Sequence, residues 1–228
     1  MLQAFIFDKD GTLFDFTASW GAWVGQIVPL VAPDVHRQAA IYAALEFDPL
    51  TRRFAKSSIV IAGTTPEIAD RLHPHTPDLT IAALNALLSA QAALAPMVPA
   101  VDLPDVLGGL RARGLRLGLA TNDTEIPARA HLARAGVAQM FDFIAGCDSG
   151  YGGKPAPGQL LAFAQQMGIN PADIAMVGDS LHDLHAAKSA GMVAIGVLTG
   201  VAAADDLAPA ADIILPDIGH IAAWLSRN

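Results

Sequence analysis

From Pro99 to the C-terminus the chain alternates short apolar runs with stretches of helical spacing, and this alternation limits its folds more than any other feature. Leu115–Ala120, Phe141–Ala145, Ile174–Val177 and Val193–Val197 read as strands, and Ile213–Leu215 reads as a further one. Between them lie the helical stretches Pro104–Arg113, Pro127–Ala135, Gly158–Met167 and Leu181–Ala190, followed by Gly114, Gly136, Gly168 and Gly191; a last helix runs to Trp224. Glycine suits these stops because a helix often ends on a left-handed residue. Strand and helix alternating in this way predict a parallel sheet covered on both faces and wound by right-handed crossovers.

The N-terminus carries one more strand, Ala4–Phe7, which ends in Asp8 and a polar turn, Lys9-Asp10-Gly11-Thr12. From Phe16 to Leu94 the texture differs. Val35–Phe47, Pro66–Leu72 and Leu79–Leu94 have helical spacing, Pro or Gly separates them, and no convincing strand alternation appears. Ile59-Val60-Ile61 fits either helix or strand. The expectation is an α/β core, residues 1–14 and 98–228, interrupted by a helical insert over residues 15–97.

Composition narrows the function classes. Of 228 residues 53% are hydrophobic and 16% charged, enough apolar material for a sizeable core. A net charge of −8 and a pI near 5.2 disfavour nucleic acid and anionic lipid as partners. An anionic substrate therefore needs a local cationic pocket. The single cysteine, Cys147, rules out an internal disulfide and fits a cytoplasmic protein. The first residues lack the basic region of a signal peptide. Residues 81–98 are Ala-rich but contain Asn85, Ser89, Gln91 and Pro96, so a buried helix is expected there and not a membrane span.

In an open parallel sheet, ligands bind at the carboxyl edge of the strands. The residues following the strands are Asp8, Asp10, Gly11 and Thr12 after the first; Thr121, Asn122 and Asp123 after the second; Lys154 after a Gly-rich loop; and Gly178, Asp179, Ser180 and Asp183 after the fourth. Carboxylates at Asp8 and Asp179 suit Mg²⁺, a hard cation that prefers oxygen ligands. A carboxylate can attack phosphorus, a second acid such as Asp10 can protonate a leaving oxygen and then activate water, and Lys154 can offset charge on a transferring group. Thr121, Asn122 and the backbone N–H groups of the Asp10-Gly11 turn can hold its oxygens.

These residues resemble a known family. Asp8-Lys9-Asp10-Gly11-Thr12-Leu13-Phe14-Asp15 is similar to the first motif of the haloacid dehalogenase (HAD) superfamily, and Thr121-Asn122 to its second. Lys154-Pro155-Ala156-Pro157 resembles the third motif in phosphoglycolate-phosphatase-like members, and Gly178–Asp183 resembles the fourth. The resemblance implies a Rossmann-like sheet core with an inserted all-helical cap domain, and a Mg²⁺-dependent phosphoric monoester hydrolase acting on a small phosphorylated metabolite, phosphoglycolate among the candidates. Asp8 is then the nucleophile and a metal ligand, and Asp10 the general acid/base, binding metal through its carbonyl. Thr121, Asn122 and Gly11 bind phosphate, Lys154 holds the phosphoryl group and Asp8, and Asp179 and Asp183 hold the metal. Relatives that act on carbon–phosphorus bonds carry Ala at the second acid position, and those that displace halide lack that acid, so Asp10 favours oxygen leaving groups. Lys9 occupies a variable position of the motif and carries no expected role.

Plainer roles compete at some positions. Asp15 and Asp123 read as turn formers or helix caps, and Thr121 has a capping alternative. His131, His182 and His185 read as packing or solvent-facing, and His73 and His75 lack a third metal ligand. Trp20, Trp23 and Phe16 read as packing in the insert, with one of them available to line the substrate pocket. Arg52, Arg53 and Lys56 form the insert's basic cluster, a solvated loop or a reader of a second anionic group on the substrate. Two other functions share the pattern: a phosphomutase of the β-phosphoglucomutase kind, and a phospho-accepting signalling domain, which lacks a long insert after its first strand. Assembly is expected to be monomeric or homodimeric.

Overall fold

The computed structural model describes residues 2–227, without the side chain of Ala62. Six strands form one parallel sheet: β1 Ala4–Phe7, β4 Arg116–Ala120, β5 Phe143–Ala145, β6 Ile174–Gly178, β7 Val193–Val197 and β8 Ile213–Leu215. Their spatial order is β5-β4-β1-β6-β7-β8. The first strand is thus central, with Phe5 level with Leu117 on one side and Ala175 on the other. The chain builds outward to one edge, then crosses back past β1 and builds to the other. The expected strands are all present, displaced by no more than two residues at their ends.

Alternate side chains of the strands enter two different cores. Phe5, Phe7, Leu117, Leu119, Val177 and Ile195 pack against α6 (Leu103–Ala112), α7 (Glu125–Arg134) and α11 (Ile221–Leu225). Ala4, Ile6, Ala120, Met176 and Ala194 pack against α8 (Gly158–Met167), α9 (Leu181–Ala190) and α10 (Ala204–Leu207). Burial of both faces is why these strands read as continuous apolar runs. The glycine stops behave as expected: Gly114, Gly136, Gly168 and Gly191 have φ of 81°, 71°, 66° and 72°.

Between β1 and β4 the chain leaves the sheet and packs around its own apolar cluster, built from Phe16, Trp20, Trp23, Ile27, Ile41, Leu72, Leu84 and Leu88 among others. Its helices are α1 Phe16–Val31, α2 Val35–Ala44, α3 Ile59–Ala62, α4 Thr65–Leu72 and α5 Ile81–Ala92. The way out and the way back run side by side: Asp15 N–H donates to Val98 O and Ala100 N–H to Leu13 O, at 2.8 and 2.9 Å.

The insert departs from the all-helical expectation. Phe47–Asp48 (β2) and Arg53–Phe54 (β3) form a small antiparallel hairpin, with the Phe47 and Phe54 rings 4.8 Å apart. Two-residue strands are too short to show alternation, so they fell inside or beyond the helical pattern ending at Phe47. Ile59-Val60-Ile61 resolves to helix because Ser58 caps its N-terminus, accepting from Val60 N–H, and Gly63 closes it. No helix among the described residues is long and apolar enough to cross a membrane.

Gly118 of β4 faces Phe163 of α8, and a Cβ there would lie 2.9 Å from the ring. Gly118→Val should therefore overpack this face and cost about 1–3 kcal/mol, read as a lower urea midpoint with an unchanged slope.

Candidate active site

The site forms where β1 stops between β4 and β6. Asp8 N–H donates to Val177 O at 2.8 Å, extending the β1–β6 ladder by one residue. The chain then doubles back: Leu13 and Phe14 N–H groups both donate to Lys9 O, and Gly11 turns through a φ of 80°. Parallel register places Thr121 after β4 and Asp179 after β6 on either side of Asp8. Asp183 follows one helical turn later, on α9, where its Oδ2 accepts from Ser180 N–H and Oγ at 3.1 and 2.7 Å. It thus caps the helix and faces the site.

Oxygen atoms of Asp8, Asp179 and Asp183 lie within 4.8 Å of one another, and all three residues are buried. Lys154 Nζ reaches them from the loop after β5, 2.5 Å from Asp8 Oδ1 and 2.7 Å from Asp183 Oδ1, while also donating to Ala120 O. Asp183 Oδ1 is enclosed, with the Lys154 ammonium as its charged neighbour. Asn122 sets the lysine loop: its Nδ2 donates to Lys154 O at 2.9 Å, and Lys154 N–H donates to its Oδ1 at 2.8 Å. Thr121 is buried, and its Oγ1 accepts from Asp123 N–H in a local turn; it caps no helix, because the N-cap of α7 is Thr124.

The electrostatics follow from burial. Desolvation pushes the Asp8 carboxyl up to about 7, with Lys154 pulling down and Asp183 and Asp10 pushing further up. Asp179 is driven well up by burial and then by its two carboxylate neighbours. Burial works to lower Lys154, but Asp183 and Asp8 overcome it, and the ammonium is held. Three carboxylates facing one ammonium carry two negative charges too many for a buried cluster. A divalent cation matches that deficit, and the clustered all-oxygen donor set suits Mg²⁺ chemically.

Two glycines leave room for the Asp179 carboxylate. A Cβ on Gly11 would come within 2.3 Å of Asp179 Oδ2, and one on Gly200 within 1.7 Å. Thr199 Oγ1 donates to Gly11 O at 2.6 Å, tying the loop after β7 to the turn after β1. Thr199 and Gly200 were legible in principle, because they follow a strand at the same carboxyl edge.

Lys9 was missed altogether. It is fully buried, and its Nζ lies 2.7 Å from Asp123 Oδ2, 2.9 Å from His131 Nδ1 and 3.1 Å from Asp10 Oδ2. Burial works to lower it, but Asp10 and Asp123 raise it and keep it charged. His131 Nε2 sits 2.8 Å from Ala92 O. A carbonyl can only accept and an ammonium can only donate, so His131 is the neutral tautomer with its proton on Nε2. Burial, then Lys9, push its pKa down to about 3. Packing is its role, as read, but between two polar partners. Asp123 is more than a cap, and no motif of fixed spacing announces a contact between residues 9, 123 and 131.

A cavity of about 60 Å³ lies over the cluster, lined on the sheet side by Asp8, Asp10, Thr121, Lys154 and Asp183. The insert supplies an apolar wall from Trp20, Trp23, Val60, Ile61, Ile68 and Leu88. Both tryptophans pack and line the pocket. The cavity opens past Asn122, Lys154 and His182 into a groove of about 720 Å³. The insert's basic cluster stays away from the cavity. Arg52 and Arg53 are exposed near the hairpin, and Lys56, on the groove, pairs with Asp206 at 2.6 Å. Asp15 caps α1, accepting from Ala18 N–H. Among the described residues His73, His75 and His185 join no metal-binding group.

The sequence profile described as haloacid dehalogenase-like hydrolase matches residues 2–191. The chain belongs to that family. A "Probable phosphatase IndB" of Dickeya dadantii (strain 3937) is 32% identical over 216 residues, covering 93% of this chain and 88% of that one. Phosphoglycolate phosphatase of Escherichia coli (strain K12) is 38% identical over 114 residues, covering half of this chain and 44% of the relative. A solved structure from Haemophilus somnus 129PT, described as a predicted phosphoglycolate phosphatase, superposes with a TM-score of 0.74 over 98% of both chains; at 18% identity it speaks to the fold.

Gly200→Ala should disable the site without unfolding the protein, because the added methyl forces Asp179 aside. A displacement near 1 Å can cost about 10²-fold, so kcat should fall on that scale while circular dichroism is unchanged.

Proposed function

We propose that this chain is a Mg²⁺-dependent phosphatase that hydrolyses a small phosphate monoester through an aspartyl phosphate on Asp8. The observation that carries the reading is the pairing at the end of β1. Asp8, held by Lys154, is clustered with Asp179 and Asp183, and Asp10 lines the same cavity as Asp8. Asp8 attacks phosphorus as the bond to the leaving oxygen breaks, and Asp10 delivers the proton that oxygen needs. Asp10 then takes a proton from the water that hydrolyses the aspartyl phosphate. Lys154 offsets charge on the transferring oxygens, and Thr121 and Asn122 line the cavity beside it. Mg²⁺, when bound by Asp8, Asp179, Asp183 and the Asp10 carbonyl, supplies the positive charge that lets a dianionic phosphate approach a carboxylate.

The insert acts as a cap over the reacting atoms, excluding water and choosing the leaving group. Its wall is apolar and aromatic, with one buried N–H, Trp23 Nε1, lacking a partner. Such a wall favours an uncharged leaving group that has an apolar face and a single acceptor. Phosphoglycolate, suggested by the names of relatives, would bring a carboxylate to a wall with no basic residue.

Asp8→Asn should abolish phosphate release on every substrate. Mg²⁺ at about a hundredfold its Kd should stabilise wild type by about 2.7 kcal/mol in thermal unfolding, and Asp179→Asn should erase that gain. Retention of Mg²⁺-dependent turnover in Asp8→Asn would overturn the mechanism. In a substrate panel, phenyl phosphate and alkyl phosphates with uncharged leaving groups should exceed phosphoglycolate in kcat/KM by about tenfold or more, the scale of one unpaired buried charge or better. A preference for phosphoglycolate would overturn the reading of the wall.

A further inference from the structure

Lys9, Asp123 and His131 form a polar group enclosed between the first-motif turn, α7 and the end of α5. Lys9 is wholly buried and has Trp20 over its ammonium, with the ring centroid 5.4 Å away. Its three neighbours, Asp123, His131 and Asp10, surround an ammonium that has three hydrogens. The anchors are themselves fixed. Asp123 Oδ1 accepts from Thr124 N–H at 2.7 Å, and His131 donates to Ala92 O at the last residue of α5. Asp123 and His131 take two of the three hydrogens, and the third ties the ammonium to Asp10, an acid of the first motif that lines the cavity.

That contact is made to Asp10 Oδ2, on a carboxyl that lines the cavity. We propose that Lys9, braced by Asp123 and His131, is a positioning residue that holds the Asp10 carboxyl in the orientation from which it serves the leaving group. The proposal rests on Asp10 being the proton donor. As the Asp8 oxygen bonds to phosphorus, the electron pair of the breaking P–O bond passes to the leaving oxygen, which takes its proton from the Asp10 carboxyl. Asp10 is left as a carboxylate beside Lys9. Because His131 reaches the last residue of the insert's final helix, the orientation is set where the insert rejoins the core.

The test compares phenyl phosphate with 4-nitrophenyl phosphate, whose alcohol is far more acidic and leaves with little need of a proton. Alcohol release in the first turnover is followed by rapid quench, ahead of hydrolysis of the aspartyl phosphate. Asp10→Asn sets the reference and should slow phenol release about 10²-fold or more, with a much smaller effect on nitrophenol. Lys9→Met should show the same selectivity with KM within about twofold of wild type, as expected for a group that acts on the chemical step. Lys9→Met/Asp123→Asn keeps the buried charge balanced, and His131→Gln leaves all three charges in place, so loss of the fold in one variant does not decide the matter. Equal slowing of both alcohols, or none, in the variants that fold would overturn the proposal and leave Lys9 a structural residue. If Asp10→Asn itself lacks selectivity, the acid role fails first and the proposal falls with it.

Discussion

Three carboxylates crowded into a buried volume at the end of β1 are the condition around which this molecule is built. Like charges this close, out of water, repel strongly and cannot all stay ionised on the strength of one lysine. The surrounding structure is organised to tolerate them. The sheet register sets Asp8 beside Asp179, α9 brings Asp183 with its own cap, and Asn122 fixes the loop that delivers Lys154. Glycines at 11 and 200 keep side chains out of the space the Asp179 carboxylate occupies. What remains is a deficit of positive charge at the place where a cation and a phosphate would meet.

A second buried lysine sorts the acids further. Lys154 serves Asp8 and Asp183, whereas Lys9 serves Asp10 and Asp123, so the two acids of the first motif answer to different cations although only one residue separates them. This division places Asp8 and Asp10 in different surroundings, as two carboxyl groups must be if one is to attack and the other to carry a proton. The ammonium of Lys9 is fully enclosed, so its role is fixed by packing and not by solvent.

The insert contributes almost nothing charged to the cavity and much that is apolar. Its hairpin and basic residues lie away from the reacting atoms, while Trp20 and Trp23, packed edge to face at 5.2 Å, form the wall above Asp10. The same residues therefore hold the insert together and define what can sit over the site, coupling its stability to the choice of leaving group.

The sheet and the four motif segments were legible in the sequence because each rests on local chemistry. Apolar runs mark strands, glycines mark helix ends, and strand termini mark the ligand edge. Asp8, Asp10, Lys154, Asp179 and Asp183 could be named because they follow strands directly or after one short loop or turn. The β2–β3 hairpin was not legible, since two-residue strands carry no period. Neither was the grouping of Lys9 with Asp123 and His131, which lie 114 and 122 residues further along the chain and meet it only when α7 packs against the first-motif turn. The sequence by itself determined which groups lie along the carboxyl edge. Tertiary packing alone decided which cation each acid faces, and that the wall above them is apolar, because both depend on distances that no local pattern encodes.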